Sequence, residues 1–316
     1  MRKVMNKEKR KSCIENGFKG FFLLMIVLFS TAFQGKLDQP EEGKKIKVIS
    51  YNIWNGFDWG KDTQRKEKMV SWVNSQKPDV LALQELCGYT LEKLQEDAKK
   101  WGHQYAAILK TTGYPVGITS NQPIEIKERI LDNMHHGVLH CKTAGIDFVV
   151  VHFSPFSYEK RREETKIVLT KLAEIAKSQD KYIVLGDFNA VSPFDADLYK
   201  DKSDLLSSLR ASEEEHDHVR NLFHGQLEFG VLSQLLSFPL IDVTQKYTSG
   251  WDERVSFPTQ IFEEEKGKGR NENSKRIDYI LTSPYIADHC PNAQVLNHET
   301  TYYLSDHYPV MAEFEF

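Results

Sequence analysis

From Ile46 to Phe316 the chain alternates short apolar runs of strand length with segments that carry apolar residues at helical spacing. The strand-like runs are KVISYN at 47–52, DVLALQ at 79–84, FVVVHF at 148–153, YIVLG at 182–186, DYIL at 278–281, QVLN at 294–297 and VMAEFEF at 310–316. Shorter ones lie near 104–109, 115–119, 124–131 and 136–141. Helical spacing marks 67–76, 90–101 and 158–177, the last through Ile167, Val168, Leu172 and Ile175. Residues 191–240 are polar and less regular, and they predict several short helices. A chain built this way hides strand faces and helix stripes together by placing sheets inside and helices outside. The expected fold class is therefore an α/β sandwich.

The first 35 residues differ from the rest. Arg2, Lys3, Lys7, Lys9, Arg10, Lys11 and Lys19 precede FFLLMIVLFSTAF at 21–33, a basic segment followed by a short apolar one. That order predicts an export signal with a small-residue region at Ser30–Ala32, or an uncleaved N-terminal anchor. The organisation expected is a signal or anchor over 1–35, a linker over 36–45 and a catalytic domain over 46–316. The predicted location is exported, secreted or periplasmic. Seven of the 41 Lys and Arg and two of the 45 Asp and Glu lie in the first 35 residues, so the remainder carries a net charge of −9. Such a body gains no bulk attraction to a phosphate polymer, and an anionic substrate has to be met by a metal ion or a few placed cations. Cys87, Cys141 and Cys290 lack zinc-type spacing, and one disulfide with one free thiol is compatible with export.

Polar residues collect where the strands stop. KVISYN ends on Asn52, and DVLALQ ends on Gln84 with Glu85 next. FVVVHF carries His152 near its end, YIVLG gives way to Asp187 and Asn189, RIDYIL holds Asp278, and Asp306 and His307 precede the last strand. Asp and Asn two residues apart also suit a tight turn, and taken alone GDFN reads as one. Six such placements exceed what turns require, because sheet ends gather in one crevice where sites are built. Glu85 offers hard oxygen to Mg²⁺. Asp278, set in an apolar run, needs a cation opposite it, and an imidazolium from His307 answers that need. A carboxylate that orients a histidine acting on water is the logic of catalytic triads. Asp306 adds an oxygen ligand.

In chain order the motifs ISYNIW, LALQE, VVVHFSP, GDFN, RIDYIL and SDHYPV resemble those of the endonuclease/exonuclease/phosphatase superfamily of metal-dependent phosphoesterases. The resemblance spans about Ile46 to Phe316. It implies a four-layered α/β sandwich, with two packed, mostly antiparallel sheets flanked by helices. It implies Glu85 as main metal ligand, helped by Asn52 and Asp306, with Mg²⁺ as the ion and Mn²⁺ as its substitute. Asp187 would hold or deprotonate the attacking water, and Asn189 would orient water and phosphate. His307, oriented by Asp278, would act as base or bind the phosphoryl oxygens, and His152 would stabilise developing charge or the leaving group. The expected reaction is hydrolysis of a phosphodiester or phosphomonoester by direct attack of water.

The substrate stays open among sugar phosphates, lipid head groups and nucleic acid, and no protein partner is implied beyond a monomer. A nuclease is the alternative enzyme, and a catalytically dead phospho-ligand binder or an anchored structural protein are the rival classes. Arg161 and Arg162 could reach a phosphate, but the start of a helix favours a solvated surface for them. The run SEEEHDH at 212–218 reads as a solvated helix end rather than a metal site.

Overall fold

The computed structural model describes residues 43–266 and 273–316. The segment expected to be a signal or anchor, and most of the expected linker, lie outside the described residues. Among them run strands β1 (Lys45–Asn52), β2 (Val80–Gln84), β3 (Tyr105–Ile108), β4 (Gly117–Ser120), β5 (Glu125–Ile130), β6 (Val138–Thr143) and β7 (Ile146–His152). After them come β8 (Tyr182–Asp187), β9 (Leu222–Phe223), β10 (Gln226–Leu227), β11 (Ile241–Asp242), β12 (Asp278–Thr282), β13 (Asn292–Val295) and β14 (Val310–Glu315). One six-stranded sheet has the order β13-β14-β1-β2-β4-β3, and the other β11-β12-β8-β7-β6-β5. Only β1–β2 and β7–β8 pair in parallel within these sheets.

Alternation along the strands builds four layers. Val48, Val80, Ala82, Ile118, Phe148, Val150, Ile183, Leu185 and Ile280 fill the space between the sheets. Their neighbours Ile49, Tyr51, Leu81 and Leu83 face the helices Thr63–Gln76 and Leu91–Lys100 through Met69, Trp72, Val73, Leu94 and Ala98. On the other side Val149, Val151 and Val184 meet the helices Tyr158–Ile175 and Gly230–Ser237. Strands with two apolar faces are what sheets covered on both sides require. The expected sandwich is the one observed.

Local differences have local causes. The first helix starts at Thr63 rather than 67 because Asp62 caps it, accepting the Arg65 amide at 3.0 Å. The strand expected at 294–297 occupies Asn292–Val295, since the Leu296 amide turns to Pro309 and the Asn297 side chain to Asp252. The strand expected from 47 begins at Lys45, inside the predicted linker, because Lys45 pairs with Glu315 of β14. Cys87, Cys141 and Cys290 are buried free thiols, so the disulfide that export allowed is absent from them. Burial pushes the Cys87 and Cys141 thiols up to about 12.

Candidate active site

Strand parity delivers the polar residues to one place. On β7 the inward face runs Phe148, Val150, then His152; on β8 it runs Ile183, Leu185, then Asp187. On β12 Asp278 stands two residues before inward Ile280, and on β1 Asn52 shares the parity of inward Val48. Each is the terminal position of its strand on the inter-sheet face, last in β1, β7 and β8 and first in antiparallel β12. Register then aligns them, because Asp187 is the cross-strand partner of both His152 and Asp278. Gly186 permits that closeness: at φ 141° a Cβ there would lie 2.0 Å from the Val151 carbonyl oxygen.

The GDFN turn and the site are one object. Asp187 Oδ1 accepts the Asn189 amide at 2.8 Å, and Asn189 itself sits at φ 48°. The other oxygen of Asp187 accepts from Asn52 Nδ2 at 3.1 Å, and lies 3.6 Å from His152 Nε2 and 3.8 Å from His307 Nε2. Asn189 Nδ2 donates to the Phe153 carbonyl at 3.1 Å. Asp278 Oδ2 lies 2.8 Å from His307 Nδ1, so the cation required opposite Asp278 is indeed His307.

Burial opposes charge on His307, yet Asp278, Asp306 and Asp187 together hold its pKa up to about 10, and it stands as an imidazolium. Burial and the charge of Asp278 push Asp187 up to about 7, with His307 pulling the other way. His152 goes in the opposite direction. Burial, with His136 and His307 nearby, holds it well below the usual histidine range, so it is neutral. Its Nδ1 is buried without a partner, and its ring stacks on His136 at 4.1 Å between centroids.

Glu85 is positioned by an unusual piece of backbone. Trp54 to Trp59 all have φ between 50° and 61°, a left-handed turn in which only Gly56 is glycine. Such backbone costs roughly 1–2 kcal/mol per non-glycine residue. Gly56 is required, since a Cβ there would lie 2.1 Å from the Cys87 carbonyl oxygen. The turn aims the Asn55 amide at Glu85 Oε2 (2.7 Å) and the Trp54 amide at Asn52 Oδ1 (3.1 Å). Arg65 holds it in place, donating to the carbonyls of Ile53, Trp54 and Leu304 beneath Phe57.

Two groups of acids lie here. Asp187, Asp278 and His307 bring ligand-type atoms within 4.8 Å of one another. A protonated His307 donates rather than ligates, so that group is already internally neutralised. Glu85 and Asp306 differ: neither forms an ion pair with Lys or Arg among the described residues. Burial raises Asp306 to about 7, with His307 opposing and the Glu85 charge adding to the rise. Two neighbouring carboxylates without a basic side chain on either suit a hard divalent cation, so the residues fit one. Asn52 lies beside them but turns its amide nitrogen to Glu85 (3.2 Å) and Asp187, its oxygen being engaged by Trp54.

Other residues of the site escaped sequence reading. The buried stripe of Tyr158–Ile175 is Arg161, Glu164, Thr165, Val168, Leu172 and Ile175, with Ile167 only half-buried. Arg161 is thus not on a solvated surface; it is buried, and its Nη1 donates to the Ser154 carbonyl at 2.9 Å. Its polar position within a perfect helical stripe was the available signal. Glu164, in the same stripe, accepts the amides of Ser154 and His135 and so fixes both loops that flank His152. Arg162 pairs with Glu228 at 2.6 Å. In SEEEHDH, Glu213 accepts the amides of Asn221 and Leu222, and His216 bonds the Ser212 carbonyl; no metal cluster forms there.

The model of the Endonuclease/Exonuclease/phosphatase family matches residues 49–307. An AP endonuclease from Archaeoglobus fulgidus superposes with a TM-score of 0.59 at 20% identity, over 86% of this chain and 100% of that one. The 3′ phosphatase NExo from Neisseria, bound to product DNA hairpin, gives 0.60 at 20% identity with the same coverage. The 3′-5′ exonuclease NExo from Neisseria meningitidis gives 0.59 at 21% identity, again over 86% and 100%. These similarities establish the fold. No curated protein matches the chain by sequence.

Proposed function

The chain belongs to the Endonuclease/Exonuclease/phosphatase family of metal-dependent phosphoester hydrolases, and from that premise we propose that it is an exported, Mg²⁺-dependent phosphoesterase in which water attacks phosphorus directly. One observation carries the reading. Asp278, His307, Asp187 and His152 form a contact chain at the end of the inter-sheet core, beside Glu85 and Asp306, which form no ion pair with Lys or Arg among the described residues.

Glu85 and Asp306 would hold a divalent ion, Mg²⁺ or Mn²⁺ in its place, which would supply positive charge for the non-bridging oxygens. The chain's own groups do the rest. Asp187 binds the attacking water and accepts its proton at Oδ2, a role that its raised pKa suits. His307, charged and aimed by Asp278, donates from Nε2 to a phosphoryl oxygen, which favours phosphoryl binding over the base role. Neutral His152 donates a hydrogen bond as charge develops on the leaving group. Asn189, anchored on the Phe153 carbonyl, orients water and phosphate. Ser305 Oγ is engaged, donating to the Asn52 carbonyl, and Cys87 is held as a thiol by burial and Glu85, so neither suits a covalent nucleophile.

Action on nucleic acid is the second reading, favoured by exposed rings beside the site. From His152 the contacts run through His136 to Tyr114 and Trp59, and through His135 to Phe156. Aromatic faces of this kind stack on bases. A panel of plasmid DNA, a 3′-phosphorylated oligonucleotide, sugar phosphates and sphingomyelin, each with Mg²⁺ and with EDTA, tests both readings. Turnover that EDTA abolishes is expected on at least one; none on any, with generic aryl phosphodiesters included, would leave a ligand-binding protein.

A further inference from the structure

Next to Asn189, away from Glu85, a small polar pocket is lined by Arg161, Lys275, Asn189, Asn221 and Glu228. Its acid is already spent. Glu228 takes Nε and Nη2 of Arg162 at 2.9 and 2.6 Å and accepts the amides of Gly230 and Val231. Its two cations are not. Arg161 is 3% exposed, its Nη1 bonds only a carbonyl, and its Nε is buried without a partner. Lys275 Nζ has no carboxylate in ion-pair reach among the described residues and rests over the Phe257 ring at 5.3 Å. Burial, with Arg161 adding repulsion, lowers Lys275 to about 8, and burial lowers Arg161 to about 10. Arg161 is buried and Lys275 partly so, and two like charges held on one cavity are costly unless an anion joins them.

We infer that this pocket binds a tetrahedral phosphoryl group through Arg161 and Lys275, one removed from the phosphoryl group that is hydrolysed. A guanidinium and an ammonium on one polar cavity match such an oxyanion. Because Asn189 borders both pocket and catalytic rim, the favoured substrates carry a second phosphate close to the scissile one. That substrate preference rests on the phosphoesterase reading above; the binding of phosphate does not.

The two are separated by measuring inorganic phosphate binding to the full protein by calorimetry in EDTA, where the acidic catalytic rim repels anions. Wild type binds phosphate, and Lys275→Met weakens it by at least about tenfold, with the charge-reversed Lys275→Glu losing it. With Mg²⁺, Lys275→Met raises KM for a substrate bearing two phosphates while kcat holds, and leaves bis-p-nitrophenyl phosphate unaffected. Phosphate binding in EDTA without turnover of any substrate keeps the subsite and removes the enzyme. Absence of phosphate binding by wild type, or equal binding by folded Lys275→Met and Lys275→Glu proteins, overturns the subsite; binding with unchanged KM in Lys275→Met makes it a site for free phosphate and overturns the substrate preference.

Discussion

At the scale of single residues, Asp187 separates a turn from a catalyst. Asn suits the same turn, so Asp187→Asn preserves the bond to the Asn189 amide and the fold while removing the charge. A positioned base is worth about 10²–10⁴ in rate, so kcat falls by that order with little change in KM. Steady-state kinetics on the best panel substrate read the split, and near-wild-type kcat would return Asp187 to the turn. Asp278 acts through His307. Asp278→Asn therefore removes most activity, but costs almost nothing further in a His307→Ala background, and additive losses in that double-mutant cycle would show independent roles. Both residues were legible in the sequence because a carboxylate at the end of an apolar run has few structural excuses. Arg161 and Glu164 were not, since charged residues near a helix start look solvated until the stripe they share with Val168 and Leu172 is counted. His136 gave no signal at all, because it lies in the loop before β6 and meets the His152 ring only once the β6–β7 hairpin has closed.

Elements show what holds the rim. Arg276, fully buried just before Asp278, donates to Asp195 at 2.7 Å and pairs with Asp242 at 2.7 Å, while Arg254 takes the other Asp195 oxygen at 2.8 Å. This cluster ties the irregular segment after GDFN to the start of β12. Arg276→Met leaves buried Asp242 without its cation and Asp195 with Arg254 alone, and breaking such a pair costs about 3–5 kcal/mol. Chemical denaturation reads that loss directly; a change under about 1 kcal/mol would show that the cluster is not cooperative. Strands and long helices were readable from periodicity, whereas this segment was not, because its order comes from ion pairs between residues tens of positions apart. The left-handed turn after Asn52 was equally hidden. Nothing in WNGFDW but Gly56 announces mirror-image backbone, which survives through the grip of Arg65 and the bond to Glu85.

For the whole molecule, the rim links stability to pH and to cations. Asp187 and Asp306 have folded-state pKa values above those of the unfolded chain, so their contribution is full below about 3.8 and is lost as pH rises through about 7. His307 acts in the same sense, its contribution full below 6.5 and lost as pH climbs toward about 10. Chelated protein should therefore lose several degrees of Tm between pH 5.5 and 8. Added Mg²⁺ should restore them at pH 8 and do little at pH 5.5, where a proton occupies Asp306. Scanning fluorimetry at the two pH values checks this, and a Tm indifferent to Mg²⁺ at pH 8 would count against a cation at Glu85 and Asp306.

The first sheet also imposes a schedule. β1 lies between β2 and β14, its register running from Lys45 opposite Glu315 to Ser50 opposite Val310, and Lys44 and Phe316 exchange backbone hydrogen bonds at its edge. The strand made first among the described residues thus waits for the strand made last. A ribosome emits about 5–20 residues each second, so this half of the sandwich stays open for many seconds of synthesis. Pairings of such sequence separation also form slowly once the chain is free. On the proposal that the chain is exported, a sheet that cannot finish early keeps it threadable through a translocation pore, and the rim is completed only after β14 has arrived.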